Sequence, residues 1–76
     1  MVKVYSTTSC PWCKKAKSYL ASQNIDFIDA NVQDDMNARD EMLNLSHQSG
    51  VPVINIDGNI VVGFDKDKID ELLNLK

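Results

Sequence analysis

Ser9-Cys10-Pro11-Trp12-Cys13-Lys14-Lys15 holds both cysteines of a 76-residue chain. The stretch follows a short β-branched run, Val2-Lys3-Val4-Tyr5, and opens an alanine- and lysine-rich run that reads as a helix. Cys10 falls at the N-cap and Pro11 at the first helical position, where a missing N–H costs no helical hydrogen bond. A C-x-x-C at a strand-to-helix junction is the sequence mark of a redox centre. In a reducing compartment such a pair is catalytic or metal-binding more often than it is a structural staple.

The bulk numbers agree with a small globular protein. The length allows one domain, residues 1–76, which buries only roughly 60% of the surface its unfolded chain exposes. Hydrophobic residues make up 43% and charged residues 25%, ordinary globular usage. The net charge of −3 argues against nucleic acid as a partner, since phosphate binding needs a clustered basic face. No apolar run approaches the ~18 residues of a membrane span. Met1 leads directly into a strand pattern with no secretory h-region, so a cytoplasmic monomer is expected.

Outward from the cysteine pair, the pattern predicts β-α-β-α-β-β-α. The first strand is Val2 to Tyr5, followed by a polar loop from Ser6 to Ser9. The first helix runs from Pro11 to about Gln23, with Cys13, Ala16 and Leu20 on one face. Ile25 to Asp29 reads as the second strand. Asp34 or Asp35 caps a second helix to about His47, whose apolar stripe is Met36, Ala38, Met42, Leu43 and Leu45. Val51 to Ile56 is the third strand. Asp57-Gly58 is a hairpin turn into Asn59 to Val62. Gly63-Phe64-Asp65 then leads into a last helix to about Leu75, with Ile69, Leu72 and Leu73 inward. A helix joins strands one and two, so they run parallel. A tight turn joins strands three and four, so they run antiparallel. The fold class is α/β, a mixed four-stranded sheet with helices on its faces and the first helix starting at the carboxyl end of strand one.

Thiol exchange needs an accessible thiolate in electropositive surroundings. Cys10 meets the free N–H groups and the positive end of the helix dipole, with Lys14 and Lys15 within a turn. Cys13 lies one turn further on the inward face, so Cys10 attacks and Cys13 resolves. Trp12 between two reachable sulfurs suits a hydrophobic lip for a peptide or tripeptide thiol. Val51-Pro52 alone reads as a proline at a strand start. Gly63-Phe64-Asp65 offers either helix N–H groups for a carboxylate or a plain aspartate cap.

Nearly the whole chain resembles the glutaredoxin family of the thioredoxin superfamily, in particular its short bacterial members. The resemblance rests on Cys10-Pro11-Trp12-Cys13 after strand one, Gly50-Val51-Pro52 before strand three, and Val62-Gly63-Phe64-Asp65 before the last helix. It implies a thioredoxin-like fold of glutaredoxin type and dithiol–disulfide oxidoreductase activity on protein disulfides or glutathione mixed disulfides. Pro11, Trp12, Val51, Pro52, Gly63, Phe64 and Asp65 would contact substrate. It further implies a cis Pro52 that sets the Val51 backbone beside Cys10. No bound cofactor is expected, with glutathione as co-substrate. Three positions depart from the family pattern. Thr7 stands where glutaredoxins usually carry lysine, Gly50 replaces the threonine of the threonine–valine–proline triplet, and Val62-Gly63-Phe64 replaces a double glycine. A glycine–phenylalanine there also resembles redoxins that serve ribonucleotide reductase and draw electrons from thioredoxin reductase.

An alternative of another class is a metal or iron–sulfur carrier. Structural zinc takes four ligands, and one chain offers Cys10, Cys13 and a distant His47. No metal site is therefore expected.

Overall fold

β-Branched and aromatic side chains make Val2–Ser6 the first strand, β1, and alternate residues face opposite helix layers. The computed structural model describes residues 1–74. After β1 come α1 (Pro11–Ser22), β2 (Phe27–Asn31), α2 (Met36–Ser46), β3 (Val53–Ile56), β4 (Asn59–Val62) and α3 (Lys66–Leu73). The predicted order is observed. The predicted helix end near Leu75 lies outside the described residues.

The sheet order is β2-β1-β3-β4. β1 and β2 are parallel, with Val4 opposite Asp29 and Ser6 opposite Asn31. β3 runs antiparallel to both β1 and β4. Val2, Val4, Ile54, Ile56 and Val61 pack on one face against Ala16 and Leu20 of α1 and Ile69 of α3. Tyr5 and Val53 pack on the other against Ala38 and Met42 of α2. Glu41 of α2 accepts hydrogen bonds from the Tyr5 hydroxyl and, at 2.8 Å, from Lys3 Nζ, which ties β1 to the helix above it. Among the described residues, no helix is long and apolar enough to cross a membrane.

The boundaries differ from expectation for identifiable reasons. Ile25 was expected to start β2, yet it belongs to the end of α1. Asn24 takes a left-handed φ of 58°. Its N–H reaches Ala21 O at 3.1 Å, and the Ile25 N–H reaches Leu20 O at 3.0 Å. This double closure uses up the last carbonyls of the helix, and the Ile25 side chain packs on the core beside it. β2 therefore starts two residues later, at Phe27. Ser6, expected in a loop, extends β1. Pro52 has no N–H to give a ladder, so β3 starts at Val53.

The apolar stripe of α2 also narrows. Ala38 and Met42 are buried, but Met36 is 64% exposed and Leu45 38% exposed. Met36 is the first residue after the Asp35 N-cap, in the first turn of the helix. The hairpin is as expected: Asp57 and Gly58 have φ of 51° and 95°, the two positive values of the turn type that suits twisted strands.

Candidate active site

The end of β1 and the start of α1 place the cysteines. Cys10 is the N-cap, in extended conformation. Its Sγ accepts the Cys13 N–H at 3.1 Å, and its carbonyl accepts the Lys14 N–H at 3.2 Å. An otherwise orphaned helix donor is therefore aimed at the sulfur, and the helix dipole favours negative charge there. Cys10 is half-buried and Cys13 is fully buried; the two are not bridged. Burial pushes the Cys13 thiol up to about 11, with the hydrogen bond to Cys10 acting in the same direction. A Thr7 backbone hydrogen bond and the Lys17 charge pull it the other way.

The second wall comes from the segment before β3. The Val51–Pro52 peptide bond is cis, as the family resemblance implied. Cys10 Sγ lies 3.9 Å from the Val51 carbonyl oxygen. The Pro52 carbonyl accepts the Gly63 N–H at 2.8 Å, which ties this segment to the end of β4. Gly63 has a φ of 79°, a conformation that strains any side chain.

Trp12, Val51, Pro52, Gly63 and Phe64 line one open groove of about 270 Å³. Five of the seven residues expected to contact substrate thus come together. Trp12 is 57% exposed, and its ring carries Lys15 Nζ at 4.7 Å from its centroid. Lys15 is therefore engaged with the aromatic face. Phe64 is held from behind by Tyr19, with ring centroids 5.8 Å apart. The Tyr19 hydroxyl donates to Asp70, and Lys66 Nζ donates to the same carboxylate at 2.8 Å. Pro11 and Asp65 stand outside the groove lining. Asp65 is the N-cap of α3 and accepts the Lys68 N–H at 3.2 Å. Of the two roles open to it, the structure displays the cap.

Residues that the sequence did not single out as a group flank the same centre. Thr7, Val32, Gln33, Arg39, Met42, Ser49 and Val51 line a second depression of about 260 Å³. Val51 borders both hollows. On the sheet face beneath α1, Ser6 Oγ donates to Asp29 Oδ1 at 3.0 Å. Lys17 Nζ donates to Asp29 Oδ2 at 3.1 Å and to Ser6 Oγ at 3.4 Å. Neither grouping is continuous in sequence; each needs the β1–β2 pairing or the α2 packing to assemble. Among the described residues, no three His, Cys, Asp or Glu side chains gather as metal ligands. His47 is the exposed C-cap of α2.

A half-buried N-cap cysteine, a buried partner one turn on and a cis-proline wall make a specific arrangement. The glutaredoxin family model matches residues 2–61. The chain belongs to the glutaredoxin family. Among glutaredoxin relatives, an uncharacterized glutaredoxin-like 8.6 kDa protein in the rubredoxin operon of Clostridium pasteurianum is 68% identical over 73 residues. That match spans 96% of this chain and 97% of the relative. The crystal structure of the thioredoxin-like protein BC3987, in a mutant form, superposes with a TM-score of 0.94 at 32% identity, over 99% of this chain and 96% of the other. The glutaredoxin-like NrdH-redoxin of Escherichia coli, described by its thioredoxin-like activity profile, has a TM-score of 0.81 at 25% identity. It is covered over 92% of its length, and this chain over 93%. The fold is therefore thioredoxin-like.

Proposed function

We propose that this glutaredoxin-family protein is a dithiol–disulfide oxidoreductase acting as one domain in the cytoplasm, with Cys10 as nucleophile and Cys13 as resolving thiol. The observation that carries the reading is the contrast between the two sulfurs. Cys10 Sγ sits at a helix N-terminus with a backbone N–H 3.1 Å away and an open groove beside it. Cys13 is buried and holds its proton to about 11. An outside disulfide meets Cys10 first. The Cys10 thiolate displaces one half of that disulfide as a thiolate and forms a mixed disulfide. Cys13, once deprotonated, then attacks Cys10 Sγ and releases the second half. The protein ends as a Cys10–Cys13 disulfide and the substrate as two thiols.

Trp12, Pro52 and Phe64 supply an apolar floor for the substrate chain. The Val51 backbone stands beside the reacting sulfur, where it is placed to pair with an extended peptide. A peptide or tripeptide thiol fits such a groove by size and polarity. Two classes of reductant are compatible with the groove: glutathione, or a thioredoxin-reductase-type flavoprotein. Thr7 at the rim of the second depression supplies no positive charge for a carboxylate, whereas Arg39 in the same depression does. We favour the flavoprotein route on Phe64 after Gly63 and on the likeness to an NrdH-redoxin with a thioredoxin-like profile.

The test is a donor assay. Oxidised protein is offered glutathione with glutathione reductase, or thioredoxin reductase alone, and NADPH consumption is followed. Turnover with thioredoxin reductase and slow turnover with glutathione is the expected result. The reverse order assigns glutathione as donor, and failure with both removes the donor reading. In either system Cys10→Ser abolishes exchange. Cys13→Ser retains only chemistry through a glutathione mixed disulfide.

A further inference from the structure

The Ser6–Lys17–Asp29 cluster stands apart from the substrate groove, but its lysine lies on the helix that carries the buried sulfur. Cys13 and Lys17 are four residues apart on α1, so they are neighbours on one helix face. A free lysine in that position spends its time in water. Here the ammonium is held on two sides: Asp29 Oδ2 at 3.1 Å and Ser6 Oγ at 3.4 Å. Ser6 is 1% exposed and is itself fixed by Asp29 at 3.0 Å. The cluster therefore pins a cation between α1 and the sheet, from a residue one helical turn beyond Cys13. Ser6 also immediately precedes Thr7, whose backbone hydrogen bonds with Cys13.

We propose that Lys17, fixed by Asp29 and Ser6, is a positioning residue for the resolving half of the exchange. This rests on the dithiol reading of Cys10 and Cys13. In that half-reaction Cys10 is already bonded to a substrate sulfur. Cys13 gives its proton to solvent, and its thiolate attacks Cys10 Sγ. The bond from Cys10 to the substrate sulfur breaks, and the substrate leaves with the electron pair and takes up a proton. Negative charge is thus created on a buried sulfur that the fold otherwise keeps neutral. A pinned ammonium on the same helix face favours that charge. Asp29 is the partner that holds it, and on β2 it is the carboxylate facing Lys17. The ionisable or charged groups bearing on the Cys13 sulfur are Cys10, at the N-cap of α1, and Lys17 on α1.

Stopped-flow reaction of the reduced protein with excess aromatic disulfide, whose released thiolate is coloured, reads both halves. The first release is second-order in the probe and reports Cys10. The second is independent of probe concentration and reports Cys13. Lys17→Met is expected to slow the second release roughly fivefold, and to move its pH midpoint upward, leaving the first release unchanged. Lys17→Arg restores the second release. In a Cys13→Ser background, Lys17→Met has no effect on the remaining release. Equal slowing of both releases, or an unchanged pH midpoint for the second, assigns Lys17 a structural role alone and overturns the inference. A wild-type protein that shows only the first release removes the dithiol reading itself, so the two failures are distinct. Circular dichroism of each variant accompanies the kinetics; a variant that does not fold is replaced by Asp29→Asn. That variant loosens the same ammonium and must slow the second release selectively if the inference holds.

Discussion

Cys10 and Cys13 are three residues apart and chemically unlike. One turn of helix carries the chain from a groove edge to a fully buried position. Burial keeps the Cys13 proton in place, so its stability effect has a definite sign. The folded thiol holds its proton to about 11, against 9.0 for an ordinary thiol. Between those values the unfolded chain binds fewer protons, so stability falls as pH rises. Below 9.0 the contribution is present in full. Urea unfolding of the reduced protein is therefore expected to show a loss of stability from pH 9 to 11 that Cys13→Ala lacks. An identical loss in both proteins would count against the burial of this thiol. The contrast in exposure between the two cysteines was legible from spacing alone, because an N-cap faces out and the position three residues on faces in. Lys17 was not legible as anything but a lysine off the apolar face. Its partner Asp29 is twelve residues away, and only the parallel pairing of β2 with β1 brings the two together.

Caps decided most of the boundaries between elements. Cys10, Asp35 and Asp65 are the three N-caps, and each accepts from the backbone of its own first turn. Cys10 was readable from the proline at the first helical position, the second cap only as Asp34 or Asp35, and Asp65 as one of two roles. Asp35 accepts from Asn37 at 3.0 Å and Ala38 at 3.2 Å. Asp35→Ala is expected to cost about 1 kcal/mol, seen as a lower urea midpoint with an unchanged slope. A shift in slope without a shift in midpoint would contradict a simple capping role. The start of β2 was less legible than the end of α1. Isoleucine is a strand former by propensity, so Ile25 was read into β2; its capping contact with Leu20 depends on Asn24 adopting a left-handed backbone. The exposed Met36 has a similar lesson. Helical periodicity marks a face, but not how much of that face is covered.

For the whole molecule, two thin cores share one sheet, and each carries part of the site. The core under α1 and α3 supports Phe64, directly and through Tyr19. The core under α2 supports Val51. Leu20 is fully buried in the first. Leu20→Ala is expected to cost about 2–5 kcal/mol, a large share of the roughly 5–15 kcal/mol typical of a domain. Chemical denaturation measures it, and a loss under 1 kcal/mol would show that the layer repacks. The fold class was readable because crossover and hairpin rules leave few topologies. The position of Val51 between two hollows was not, because it depends on which strand sits beside β1 in the finished sheet. The same strand order sends the Asp57-Gly58 turn to the end of β1 away from the cysteines, next to Met1. A side chain at Gly58 would meet open space but would be strained by its φ of 95°, so a tether belongs on the exposed Asn59 beside it. That turn is therefore the natural attachment point for a fluorophore, a surface tether or an inserted epitope: a handle by which the protein can be immobilised or reported on with its reactive end left facing the solution.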